Sequence, residues 1–365
     1  MDLLINEKVY LSDIHLSDSL VNFSTYVPGF KGESSMTEER KKKVSQMVYE
    51  KDYSIEKFKT MVLQEVIFAY NTAVFLMRKA EKDSPEYENF KKAKDVYFRL
   101  IVERVKNEEP EFYIAESGYT RYPFVGKSPS GKYHVWIFSQ ERYALFAKEH
   151  FVEQKVELNI KCLKHKEFLA FCAYLHIIGA NAIFIDNGAY SIEIPLELIV
   201  PQPDFEMLPE VNRPVMNPDF VIRALFFLQE LRRPISNDIK RELEEDMLKQ
   251  LPKCKFLMPS QADREQLELI RQDPSVKREL RFKFPRLNRP DGKMYFPVFT
   301  DLHEYKKFEK GKEFGVLVQD YNGVVNIFKK GDSEGITINP FGMNIVINQK
   351  TIDAIDRLCG NVVTE

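Results

Sequence analysis

Cysteine is scarce in this chain: Cys162, Cys172, Cys254 and Cys359 are widely spaced, with no CxxC and no histidine beside them at zinc-binding spacing. A disulfide framework and a zinc finger are thereby excluded, and the four read as reduced thiols. Histidine is rare too. Of the six, His165 and His176 fall near one face of a helix but have no further ligand beside them, so no metal is assigned. GxSxG, HExxH, the P-loop and GxGxxG are all missing. No catalytic residue and no cofactor follow from the sequence, and hydrolase or transferase readings have no support. Charge bias is missing as well: net charge is -2 and pI about 6.4, so nothing global draws the chain to nucleic acid or anionic lipid. The first residues lack a basic segment followed by an apolar run, so no secretory signal is expected. Long apolar runs are missing but for Phe168 to Ile185, eighteen residues without a formal charge. That run contains His176, Gly179 and Asn181 and divides into helix, turn and strand, so it is not read as a membrane span.

What is present is the make-up of a folded protein, 44% hydrophobic and 30% charged over 365 residues, enough for two or three domains. Met1 to Glu39 shows only a turn at Pro28-Gly29 and Gly32. A helix is expected from about Ser54 to Lys82, with Phe58, Val62, Val66, Ala69, Ala73 and Leu76 in helical register. Ser84-Pro85 restarts a second helix with a cap and a first-turn proline, buried through Phe90, Ala93, Tyr97 and Leu100. The short connection makes the two an antiparallel hairpin.

A first module follows from near Phe112. The strand Tyr133 to Phe138 alternates, a helix runs from about Gln140 to His150, and a β-rich run passes Val156, Leu158 and Ile160. A helix from His165 to Ile178 ends at Gly179, and strands Ala182 to Ile185 and Tyr190 to Ile194 flank the hairpin signal Asp186-Asn187-Gly188. Pro201, Pro203, Pro209 and Pro214 mark a linker. Beyond it, Asn217-Pro218 opens one helix and Asn237 caps another. Cys254 to Met258 reads as a strand, Ser260 to Gln272 as a helix, and Glu279 to Leu287 as a strand.

The stretch Gly292 to Ile347 then repeats the first module. An offset of 161 places Gly131 on Gly292, Lys132 on Lys293, Phe138 on Phe299 and Ser139 on Thr300. An offset of 162 pairs Tyr143 with Tyr305 and Phe146 with Phe308, and one of 153 pairs Ile183, Ile185, Ile192 and Ile194 with Ile336, Ile338, Ile345 and Ile347. The matches fall at period two in strands and about three and a half in helices, the positions a shared core preserves. The copies differ where Asn339-Pro340-Phe341-Gly342 replaces Asp186-Asn187-Gly188-Ala189, and Pro297 replaces Trp136.

Pro297 to Thr300 (PVFT), an aromatic-bearing helix to Phe308 and Gly335 to Gly342 (GITINPFG) resemble the SseB family, named for enhanced serine sensitivity. The resemblance covers Asn237 to Ile355 well and Phe112 to Ile199 weakly. It implies a soluble bacterial protein and brings no reaction and no catalytic residues.

The fold expected is α+β: two related α/β modules, each a small mixed sheet with flanking helices, plus an N-terminal helical hairpin. Residues 1–110 form the helical extension, 111–200 the degenerate module, 201–216 the proline-rich linker and 217–365 the second module with its leading helices. The NPFG turn is the best site candidate. Asparagine and glycine tolerate positive φ and proline presets the turn between them, so the residues first of all make a tight turn. As a binding surface the candidates are Asn339, Pro340, Phe341 and Gly342, with Pro297 and Tyr295. The function expected is a non-catalytic, cytoplasmic recognition module for an unknown protein or peptide partner, with no membrane association. One alternative is a small-molecule sensor or enzyme with a site between the modules, using Asp186, Asn339 and Tyr295. Another is nucleic-acid binding through Lys277, Arg278, Arg281, Lys283, Arg286 and Arg289, interleaved with Phe282, Phe284 and Pro285. In a strand, alternation sends Phe282 and Phe284 to the core and Arg281 and Lys283 to water, so nucleic acid is the less favoured reading.

Overall fold

Why the N-terminal region is helical is visible at its caps. A computed structural model describes residues 36–49, 58–128, 131–152, 155–187, 190–262, 282–289, 292–309 and 314–360. Helix α1 (Glu38–Tyr49) and α2 (Leu63–Lys79) are tied by the Arg40 guanidinium, which donates to both oxygens of Glu65 at 2.6 and 2.8 Å. The same carboxylate accepts from the Val62 N–H at 3.2 Å, so it also covers one of the unpaired donors at the start of α2. The helix expected from Ser54 to Lys82 is thus interrupted: Phe58 and Lys59 are helical, the chain turns at 60–62, and α2 starts afresh at Leu63 under this cap, while the expected start near Ser54 lies outside the described residues. Helix α3 (Pro85–Asn107) starts as its sequence indicates, with Ser84 Oγ accepting from the Tyr87 N–H at 3.1 Å. Its buried face, Phe90, Ala93, Tyr97, Ile101 and Val105, keeps the three-to-four spacing of one helical side.

The first module's sheet runs β4-β1-β3-β5-β6, with β2 beside β3: β1 (Glu111–Ser117), β2 (Val125–Lys127), β3 (Tyr133–Phe138), β4 (Leu158–Lys164), β5 (Ala182–Ile185) and β6 (Ile192–Pro195). Helix α4 (Glu141–Val152) follows β3 and α5 (His165–Ile178) follows β4. Trp136, Phe138 and Phe184 meet Tyr143, Ala144, Ala147 and Phe151 of α4, while Phe112 stacks on Phe168 of α5 at 4.1 Å. With helices covering it, all six residues of β3 are buried, including His134 and Trp136, which strand alternation alone would turn to water. The His134 imidazole lies on the Phe184 ring at 4.9 Å, and burial pushes its pKa down to about 3, so it stays neutral.

In the second module α6 (Pro218–Glu230) and α7 (Asn237–Leu248) precede β7 (Lys255–Ala262). Ser236, not Asn237, caps α7, accepting from the Ile239 N–H at 3.3 Å. The expected helix from Ser260 fails at its start, because Ser260, Gln261 and Ala262 continue β7 and pair with neighbouring strands; its remainder lies outside the described residues. There follow β8 (Phe282–Lys283), β9 (Leu287–Asn288), β10 (Met294–Val298), α8 (Leu302–Glu309), β11 (Gly315–Asp320), α9 (Tyr321–Lys329), β12 (Gly335–Ile338), β13 (Ile345–Ile347) and α10 (Gln349–Leu358). The strands form two sheets, β13-β12-β10-β9 and β11-β7-β8, joined among the described residues by the bridge Leu257↔Phe299.

Strand for strand, the two modules pair in the same register. His134↔Ala182 and Ile137↔Ile185 join β3 to β5 in parallel; Tyr295↔Gly335 and Val298↔Ile338 join β10 to β12 in parallel. These are the pairs that the offsets of 161 and 153 demand. Ile183↔Ile194 has its counterpart in Ile336↔Ile347. The turns before β3 and β10 close alike, Gly131 N–H to Ser128 O at 2.8 Å and Gly292 N–H to Arg289 O at 3.0 Å, with both glycines at positive φ, 82° and 80°. Neither has a Cβ to strain there.

By internal packing the chain divides into two units, Met1–Gly118 with Pro123–His176 and Ala180–Gln202, and Tyr119–Tyr122 with Ile177–Gly179 and Pro203–Glu365. The architecture is α+β, with several small mixed sheets and a helical N-terminal region. Phe168 to Ile185 is α5, a turn and β5, and among the described residues no helix is long and apolar enough to cross a membrane.

Candidate functional site

The residue that ends each parallel strand pair is the key to the local chemistry. Asn339 follows β12 with φ 50° and Asp186 follows β5 with φ 57°, and both are sealed from solvent. Each passes its own N–H back to the neighbouring strand, Asn339 to Val298 O at 2.9 Å and Asp186 to Ile137 O at 2.8 Å. Their side chains then reach the hydroxyl residue past that strand. Asn339 Oδ1 accepts from the Thr300 N–H at 3.0 Å, and its Nδ2 donates to Thr300 Oγ1 at 2.8 Å. Asp186 Oδ1 accepts from the Ser139 N–H at 2.7 Å, and its Oδ2 accepts from Ser139 Oγ at 2.7 Å. Direction of the hydroxyl contact is thus reversed between the modules. Thr300 spends its proton on Asp301 Oδ2 at 2.7 Å, whereas Asp186 takes a further bond from Gln64 Nε2. Burial pushes the Asp186 carboxyl up to about 6, against the hydrogen bonds from Ser139 and Gln64 that favour its charged form.

Clamped in this way at its first residue, the NPFG turn closes through two bonds to the Asn339 carbonyl, from the N–H groups of Gly342 and Asn344, both at 2.9 Å. Pro340 and Gly342 are half-buried and Met343 is buried. Phe341 alone stands out, 55% exposed, its ring 6.2 Å from Phe308. Beneath lies a cluster of Leu257, Phe299, Tyr305 and Phe308. Gly342 is not at positive φ; a side chain there would overlap the Tyr122 hydroxyl and the Glu304 carboxylate, so close approach, not backbone freedom, calls for glycine.

Of the six candidate binding residues the structure brings four into this turn and two into β10. Asn339, Pro297 and Tyr295 are buried, so they shape the surface without forming it. Pro297 pairs with Thr337 within the sheet, and Tyr295 carries the Arg289 guanidinium over its ring at 5.0 Å. Sealed residues also cannot line an accessible cleft, which removes Asp186 and Asn339 as the polar groups of a sensor or enzyme site. A groove of about 510 Å³ lies within the second unit, between α7 and α10, lined by charges of both signs that include Arg241, Glu244, Glu245, Lys350 and Arg357. Sequence reasoning did not single it out. His165 and His176 go to separate backbone carbonyls, Glu109 O at 2.9 Å and Val200 O at 2.8 Å.

Half of the basic segment, Lys277, Arg278 and Arg281, lies outside the described residues. In the remainder Arg286 pairs with Asp332 and Lys283 is exposed. Phe282 is exposed too, contrary to strand alternation, because β8 is only two residues long and has no continuous inner face. Phe284 does turn inward, meeting Phe296 edge-on at 5.5 Å.

The turn, the clamp and their strand order coincide with a known domain: residues 236–354 match the SseB protein N-terminal domain. Over those residues the second module is similar to the SseB family. The SseB match ends short of α10's last turn and leaves the first module uncovered. Among solved structures the chain is similar to Tic22 from Plasmodium falciparum, at 12% identity and TM-score 0.17, over 73% of this chain and 99% of that one. It is also similar to Anabaena Tic22 (protein transport), at 8% identity and TM-score 0.15, over 70% and 96%. No curated protein matches.

Proposed function

We propose that the protein is a non-catalytic recognition module whose SseB domain holds a protein or peptide partner against the turn Asn339 to Asn344. One observation carries this reading: a phenylalanine more than half exposed on a turn whose base is immobilised by buried hydrogen bonds to Thr300. An exposed aromatic gains by being covered, and a turn already held in shape has little freedom left to lose on binding. The partner suited to it offers an apolar pocket for one ring. We also read the two modules as copies of one ancestral unit, since their register agrees pair by pair. In the first copy the clamp persists with a carboxylate and the NPFG letters are gone. The protein is read as bacterial and cytoplasmic, a setting that suits four free thiols.

The test is a pull-down from the native organism with the wild-type chain and with Phe341→Ala, using Leu145→Ala, an exposed leucine of the first module, as control. Expected is a retained protein that Phe341→Ala loses and Leu145→Ala keeps. Identical retention by all three overturns the proposed surface.

A further inference from the structure

Edge strands are the places where a sheet can gain another strand, and folded proteins usually guard them with charge. The first sheet ends at β4, and β4 is guarded: Lys161 and Lys164 are exposed along it, and Lys164 pairs with Glu111 of β1. By register, β11 is its counterpart, pairing with β7 as β4 pairs with β1. It ends its sheet, and among the described residues it has a strand on one side alone. Yet from Gly315 to Gln319 it holds no charge. Val316 and Val318 share one face of the strand and are 44% and 47% exposed.

We propose that β11 is a self-association edge, and that its occupant is β11 of a second copy of this chain, antiparallel about a twofold axis at Leu317. A twofold axis sets each residue opposite its mirror position about Leu317, and because Val316-Leu317-Val318 reads the same in both directions that pairing sets valine opposite valine. About Leu317, Val316 of one copy faces Val318 of the other, and Gly315 faces Gln319. No like charges meet, and the apolar valine pairs are the kind that stabilise a ladder. The outward backbone N–H and C=O groups of β11 complete the bonding. This inference stands apart from the Phe341 surface.

Sedimentation of the full chain over a wide concentration range tests it, with two double variants chosen to be equally polar. In Val316→Lys with Val318→Lys, the pairing sets lysine against lysine. In Val316→Lys with Val318→Asp, it sets lysine against aspartate in both halves. Expected are a wild type whose mass rises toward twice that of the chain, loss of that rise in the first variant, and its return, weakened by salt, in the second. Circular dichroism and urea unfolding confirm that each variant folds. A wild type monomeric at every concentration overturns the proposal, as it would if the edge serves an extended segment of another protein. So does a dimer that survives in the first variant, or is absent from both. Phe341→Ala leaves the mass unchanged, which separates a failure here from a failure of the recognition reading.

Discussion

Asp186→Asn exchanges the first module's clamp for the one the second module already carries. Asp186 titrates near 6 when folded, against about 3.9 in an unfolded chain. The folded state therefore binds the proton more tightly, and stability falls as pH rises from about 4 through 6, by about 3 kcal/mol for this group alone. The variant has no such titration. Its oxygen is placed to accept from the Ser139 N–H and its amide to donate to Ser139 Oγ, as Asn339 does with Thr300. Gln64 must turn its own amide over, presenting an Oε1 that has no partner among the described residues. Urea unfolding of both proteins across pH 4 to 8 isolates the group, because every other titration is shared. The variant's stability relative to wild type should improve with rising pH, by about 3 kcal/mol across the window. A flat difference, or one that moves the other way, refutes the buried, proton-holding carboxyl and the equivalence of the two clamps.

Asn339→Asp is the reverse exchange: it sets a carboxylate against a hydroxyl whose proton is given to Asp301, and should destabilise by roughly 1–3 kcal/mol at neutral pH, read by urea unfolding. Gly342→Ala should lower the melting temperature, by about 1–3 kcal/mol of stability, through overlap with Tyr122 and Glu304. Phe299→Ala empties the cluster beneath the turn, where Phe299 meets Tyr305 and Phe308, and should cost about 3–5 kcal/mol in the same assay. A thiol reagent should find two fast cysteines, the exposed Cys162 and Cys359, and two that react only on unfolding, Cys172 and Cys254, which are buried and pushed up to about 12.

Much of the agreement in register between the modules was legible because the strands of each parallel pair carry isoleucines whose spacing is set by burial. Ile183, Ile185, Ile192 and Ile194 announce their partners directly. The strands flanking them were not. β1 and β7 occupy the same place in the two sheets, yet Phe112 and Phe256 are nearly all that they share; being bonded to other strands constrains backbone, not letters. β11 was missed for a related reason: its exposed face carries Val316 and Val318 and its half-buried face Leu317 and Gln319, so polarity does not alternate along it. At the site, the sequence paired Ser139 with Thr300 and set Asp186 against Asn339, but not the contact within each pair. The signal was there, since each pair closes adjacent parallel strands. What no pattern carried was that NPFG divides between a buried asparagine and an exposed ring, because the four letters alone do not say which way the turn leans.

Among the described residues one backbone bridge, between Leu257 and Phe299, joins the second module's two sheets, with the Asn217 amide donating across the seam to Lys255 O and Thr300 O, where the first module has a two-residue ladder at the same seam. Amide hydrogens at that seam should therefore exchange through a local parting of the strands in the second module, while those of Tyr113 and Phe138 wait for a larger opening. The half of the protein that displays its aromatic ring is also the half whose floor, among the described residues, is held by one backbone bridge and a side-chain amide.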